Sequence, residues 1–121
     1  MKINSLRPLL RTLDMDGTIA FYTGILGFTL AAKNDDWGWA SLYKDEVSIM
    51  LGKPNEHWPF DKPSFTGSFY FNVDNVDELW EQVKDKTTVC YHIENFEWQM
   101  REFGIYDNNG YLLQFGQDIT P

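Results

Sequence analysis

Histidine and cysteine, the side chains most versatile as metal ligands, bases and nucleophiles, are scarce in this 121-residue chain. His57 and His92 are its only histidines and Cys90 its only cysteine. A single cysteine excludes an intrachain disulfide and any cysteine-cluster metal site. No Ser-His-Asp or Cys-His constellation is legible, and each histidine reads as a surface or hydrogen-bonded residue. What the chain has in quantity is rings: five tryptophans, six tyrosines and nine phenylalanines make 17% of it. Flat rings stack on planar heteroaromatic ligands, and on a cation each contributes about 0.5–2 kcal/mol. Such a surplus fits a ring-lined site or an aromatic-rich core, and composition alone leaves both open.

The elements that must position these rings follow from spacing. Residues 5–12 alternate and predict a strand, and Asp14 caps a helix over roughly 15–26 that Gly27 ends. Strands are expected over 28–33, 36–43 and 46–51, the last two joined by a hairpin at Lys44-Asp45. The segment 53–65, with Pro54, Pro59 and Pro63, reads as a connector. The pattern then starts again: a strand from Gly67 to Val73, a helix over about 76–85 capped at Asp74-Asn75, and strands near 88–93, 98–106 and 111–117. Asn108-Asn109-Gly110 supplies the turn chemistry of the last hairpin. Strand–helix–strand–strand–strand therefore occurs twice at a spacing of about 61 residues. The fold class expected is α+β: two βαβββ modules, about 1–52 and 66–121, forming a curved, partly closed mixed sheet around a cavity with helices on the convex face.

The net charge of −8 argues against nucleic acid or an anionic membrane as partner, since both need a basic footprint. Met1 to Ser5 is too short for an apolar targeting core, and no apolar run approaches the roughly 18 residues of a membrane span. A cytoplasmic protein is expected.

Three stretches carry a resemblance. They are Asp14 to Phe28 (DMDGTIAFYTGILGF), Val73 to Leu79 (VDNVDEL) and Trp98 to Gly116 (WQMREFGIYDNNGYLLQFG). In this order they resemble the vicinal oxygen chelate superfamily of glyoxalases, extradiol dioxygenases and bleomycin-resistance proteins. The third stretch and Asp35 to Leu51 (DDWGWASLYKDEVSIML) look most like the bleomycin-resistance branch. Two departures stand out: Asn108 replaces a proline, and Gln99 a glycine.

Metal-dependent members of that superfamily place a ligand on each of four strands. The resemblance puts Arg7, Met50, Ser68 and Gln114 at those positions. Arginine cannot ligate a cation, a thioether is too soft for hard metals, and serine and glutamine are weak neutral donors. No metal and no cofactor is therefore expected. Taking those positions as cavity-facing, strand alternation adds Arg11, Tyr70, Trp37, Trp39, Trp98, Met100 and Glu102 to the lining. Glu102 would pair with a basic ligand, whereas Arg7 and Arg11 suit a carboxylate-bearing or mixed-charge one. The same tryptophans also suit a dimer contact. Trp58 and Phe60 of the connector either cover the groove or anchor the loop, and Trp80 reads as core.

The function these expectations support is a binding protein rather than an enzyme. It would sequester a planar aromatic, bleomycin-like antibiotic in aromatic grooves of a homodimer. The alternative is a glyoxalase- or dioxygenase-like enzyme acting on a small metabolite through a non-standard site.

Overall fold

The computed structural model describes all 121 residues. Ten elements follow in the order β1 (Leu9–Arg11), α1 (Met15–Gly24), β2 (Thr29–Asn34), β3 (Trp39–Lys44), β4 (Val47–Gly52), β5 (Phe69–Asn72), α2 (Val76–Val83), β6 (Thr88–Phe96), β7 (Met100–Tyr106) and β8 (Leu112–Asp118). The βαβββ order thus occurs twice. The chain divides into two compact units, Met1–Asp61 and Lys62–Pro121, so the boundary falls inside the proline-rich connector.

In the first unit the sheet runs β1-β4-β3-β2, with β1 parallel to β4 and the other pairs antiparallel. The Asp14 carboxylate caps α1 by accepting from the Gly17 amide at 3.0 Å, which satisfies one orphan donor of the first turn. Gly27, at φ +77°, turns the chain out of the helix into β2. Ala40, Leu42, Ile49 and Leu51 point to one face of the sheet and are buried, as are Phe21, Tyr22, Leu26 and Phe28 of the helix and its exit. Tyr22 meets Phe21 and Phe28 edge-on at 5.5 and 5.6 Å. Rings in this arrangement add to the roughly 1.5–3 kcal/mol that each large apolar side chain contributes on burial.

The second unit repeats the plan, with sheet order β5-β8-β7-β6 and β5 parallel to β8. The Asn75 side chain caps α2 on the Glu78 amide at 3.1 Å. Val76, Trp80 and Val83 form the helix's buried stripe. Trp80 packs on Phe103 at 5.0 Å, Phe103 on Phe115 at 5.3 Å, and Phe115 on Phe71 at 5.0 Å. Asp107 organises the last hairpin. Its Oδ1 accepts from the amides of Asn109, Gly110 and Tyr111 at 2.9, 3.0 and 3.0 Å, and Gly110 takes φ +99°.

Among the boundaries that differ from those expected, three bear on the candidate site residues. β1 is confined to Leu9–Arg11, because Pro8 lacks an amide donor and pairing with β4 begins at Leu9 opposite Met50. Trp37 lies in the four-residue turn 35–38, before β3 begins at Trp39. Trp98 lies in the turn 97–99, closed by the Phe96–Met100 pair, and Gln99 there has φ +66°. No helix is long and apolar enough to cross a membrane.

Candidate functional site

On the sheet face of the second unit away from Phe103, Leu113 and Phe115, polar and aromatic side chains converge on one carboxylate. Glu102, on β7, is only 3% exposed. Its Oε1 accepts from the Tyr70 hydroxyl at 2.9 Å and from the Trp98 indole Nε1 at 2.8 Å, and its Oε2 from the Tyr91 hydroxyl at 2.5 Å. The network extends along β8 and β5: Gln114 Nε2 donates to the Tyr91 oxygen at 2.9 Å, and the Ser68 hydroxyl donates to Gln114 Oε1. A buried carboxylate in low dielectric is tolerated when it is fully hydrogen-bonded, and three neutral donors do that here. In return, burial first, then the hydrogen bond donated to Glu102 and after it the carboxylate's charge, raise both phenols, Tyr70 to about 12 and Tyr91 further, although the hydrogen bond from Gln114 opposes the shift at Tyr91. Both tyrosines are therefore protonated donors at neutral pH.

Two glycines make this geometry possible. Tyr91 crosses from β6 over Gly104, where a β-carbon would lie 2.4 Å from its ring. Tyr70 reaches from β5 over Gly116, where a β-carbon would lie 2.0 Å from its hydroxyl oxygen. The register places Gly104 beside both Tyr91 and Gln114, and Gly116 beside Glu102. Glycine inside a strand marks close approach by another group, and here both groups are tyrosines bound for the same carboxylate. Trp98 stacks on Phe96 with ring centroids 4.7 Å apart and planes 14° from parallel. With its N–H held by Glu102, the indole still leaves 56% of its surface to solvent, and Tyr70 leaves 40%. The Met100 methyl lies against Gly116 beside them.

The expected lining residues of this unit, Tyr70, Trp98, Met100, Glu102 and Gln114, are thus brought together. Tyr91, Phe96 and the two glycines belong to the same cluster, beyond the residues expected from alternation. The glycines inside β7 and β8 were the signal available. Glu102 does not present a free carboxylate, since its oxygens are engaged by the rings around them.

The first unit carries a second aromatic face. Register across β1, β4 and β3 sets Leu9, Met50 and Ser41 in one row and Arg11, Gly52 and Trp39 in the next. Arg7 Nη2 donates to Ser41 Oγ at 2.7 Å, and Arg11 Nη1 donates to the Lys53 carbonyl at 3.1 Å while lying over Gly52. Trp37 projects from its turn, 73% exposed, with its ring 6.5 Å from that of Trp39. Basic groups and indoles share this face.

The donor chemistry does not fit a hard divalent cation. Ser68 and Gln114 are hydrogen-bonded to one another, Arg7 is a guanidinium directed at Ser41, and Met50 offers only a thioether. No three histidine, cysteine, aspartate or glutamate side chains converge anywhere in the chain. His92 packs edge-on against Trp80 at 5.4 Å, and His57 lies exposed beside Glu56.

The family model for the glyoxalase/bleomycin resistance protein/dioxygenase superfamily matches residues 2–115. The chain belongs to this superfamily. Among its superfamily relatives, the bleomycin resistance proteins of Geobacillus stearothermophilus and Staphylococcus aureus are each 31% identical to it, over 93% of this chain and 95% of their own length. Solved structures share the superfamily fold at lower identity. A glyoxalase/bleomycin resistance protein/dioxygenase from Nocardioides matches with a TM-score of 0.80 at 16% identity, covering 98% of this chain and 86% of its own. TnmS3, an antibiotic binding protein from a Streptomyces species, matches with a TM-score of 0.79 at 19% identity and covers 98% of both chains.

Proposed function

We propose that this protein is a metal-independent binding protein that sequesters a planar aromatic, bleomycin-like antibiotic against its aromatic faces, as a homodimer. The observation that carries the reading is the exposed Trp98 indole, stacked on Phe96 and tethered through its N–H to the buried Glu102. A ring held by packing on one face and a hydrogen bond at its edge has lost its rotamer freedom before any ligand arrives, so stacking a second ring on it costs little further ordering. The 31% identity to relatives named bleomycin resistance proteins supports the ligand class. The homodimer reading draws on exposed apolar side chains of the first unit, among them Leu9, Leu30 and Val47.

Sequestration breaks no bond, and this separates it from catalysis. Added to a bleomycin-dependent plasmid cleavage reaction, the protein should protect DNA in proportion to its molar ratio to drug. Denaturing the protein afterwards should return the drug with its mass unchanged. Protection at catalytic amounts of protein, or recovery of a modified drug, would replace this reading with an enzymatic one.

A further inference from the structure

We propose that Glu102 is a positioning residue that also sets the site's preference: by drawing in the donors of Tyr70, Tyr91 and Trp98, it leaves a face suited to ligands bearing hydrogen-bond donors and poorly suited to carboxylates or phosphates. The proposal rests on the reading of this face as a ligand site and extends it to the chemistry the face selects.

The argument is one of donor accounting. A tyrosine hydroxyl has one hydrogen and an indole one N–H. Each of these three hydrogens is committed to Glu102, at 2.9, 2.5 and 2.8 Å. The Tyr91 oxygen in turn receives Gln114 Nε2 at 2.9 Å. The exposed portions of Tyr70 and Trp98 therefore meet a ligand with π-faces and with no hydrogen left to give. A ligand carboxylate laid on this surface finds none of the three donors available and lies above a buried carboxylate. A ligand amine or amide N–H finds electron-rich rings above a buried negative charge.

Glu102 itself is 3% exposed, so its charge acts through the rings rather than by touching the ligand. Gly116 opposite it and Gly104 two residues along its own strand show that the arrangement is built into the sheet: side chains at Gly104 and Gly116 would collide with Tyr91 and Tyr70.

The test has a spectral arm and a binding arm. In the ligand-free protein the Trp98 indole cross-peak in a proton–nitrogen spectrum is assigned by its loss in Trp98→Phe. It should lie downfield and exchange slowly, and it should move upfield in Glu102→Gln. Tyr70→Phe removes the other donor to Oε1 and should also shift it, which keeps the test usable if Glu102→Gln fails to fold. A Trp98 peak unmoved in both variants overturns the positioning role.

The binding arm titrates tryptophan fluorescence with 1-(aminomethyl)naphthalene and with 1-naphthoate. The wild type should prefer the amine, and in Glu102→Gln that preference should shrink about tenfold, the scale of one buried hydrogen bond lost. An unchanged ratio in a folded variant overturns the selectivity claim. Failure of the wild type to bind either probe overturns the ligand-site reading beneath it, while the spectral arm still decides whether Glu102 positions the rings.

Discussion

The Tyr70 hydroxyl occupies the space that a side chain at Gly116 would need: a β-carbon there would lie 2.0 Å from the phenolic oxygen. Gly116→Ala should therefore expel Tyr70 from Glu102 and lower the unfolding free energy by roughly 1–3 kcal/mol, the usual cost of overpacking. Gly104→Ala should act likewise through Tyr91. Urea denaturation of both variants checks this, and midpoints equal to wild type would contradict the close approach.

Alkaline pH should weaken the fold through the same network. Desolvation, and then the Glu102 carboxylate, push the Tyr70 phenol up to about 12 from 10.0. A group whose folded value is raised lends its stability in full below the unfolded value and loses it as pH climbs through the folded one. Stability should thus fall between pH 10 and about 12, and Tyr70→Phe should show a smaller fall. Denaturant midpoints measured across that window give the comparison.

Gln99 stands at φ +66°, a conformation that glycine adopts without steric cost. Gln99→Gly should raise stability by about 0.5–1 kcal/mol, because relief of a left-handed non-glycine residue outweighs the added freedom of the unfolded chain. A thermal melt would show it as a higher midpoint. A lower one would mean that the glutamine side chain contributes more than the strain costs.

Trp80 and Trp98 should separate stability from binding. Trp80, 8% exposed against Phe103, should cost roughly 3–5 kcal/mol of stability when replaced by alanine. Trp98→Ala, at a turn and 56% exposed, should cost less, about 1–3 kcal/mol for the donor taken from Glu102, while removing the stacking surface. Unfolding curves of the two variants side by side decide the point.

The order of elements, both helix caps and the core positions Ala40, Leu42, Phe103 and Ile105 are legible in the sequence, because alternation and cap chemistry are local. The turns holding Trp37 and Trp98 are not. Alternation continues through both, and Gln99 gives no turn signal although its backbone is left-handed. The share of Tyr91 in the site is not legible in the sequence because it depends on cross-strand register, with a bulge in β6 on either side of it. Glu102 was placed correctly on its strand, but its burial under three rings follows from what glycine leaves open on β7 and β8, which periodicity does not record.

The most direct measurement is a tryptophan-fluorescence titration with metal-free bleomycin, in chelator, of wild type and Trp98→Ala. Saturable quenching at about one ligand per chain in the wild type, lost in the variant, is the result predicted for stacking on a pre-positioned ring. Equal quenching and equal affinity in the two proteins would contradict it.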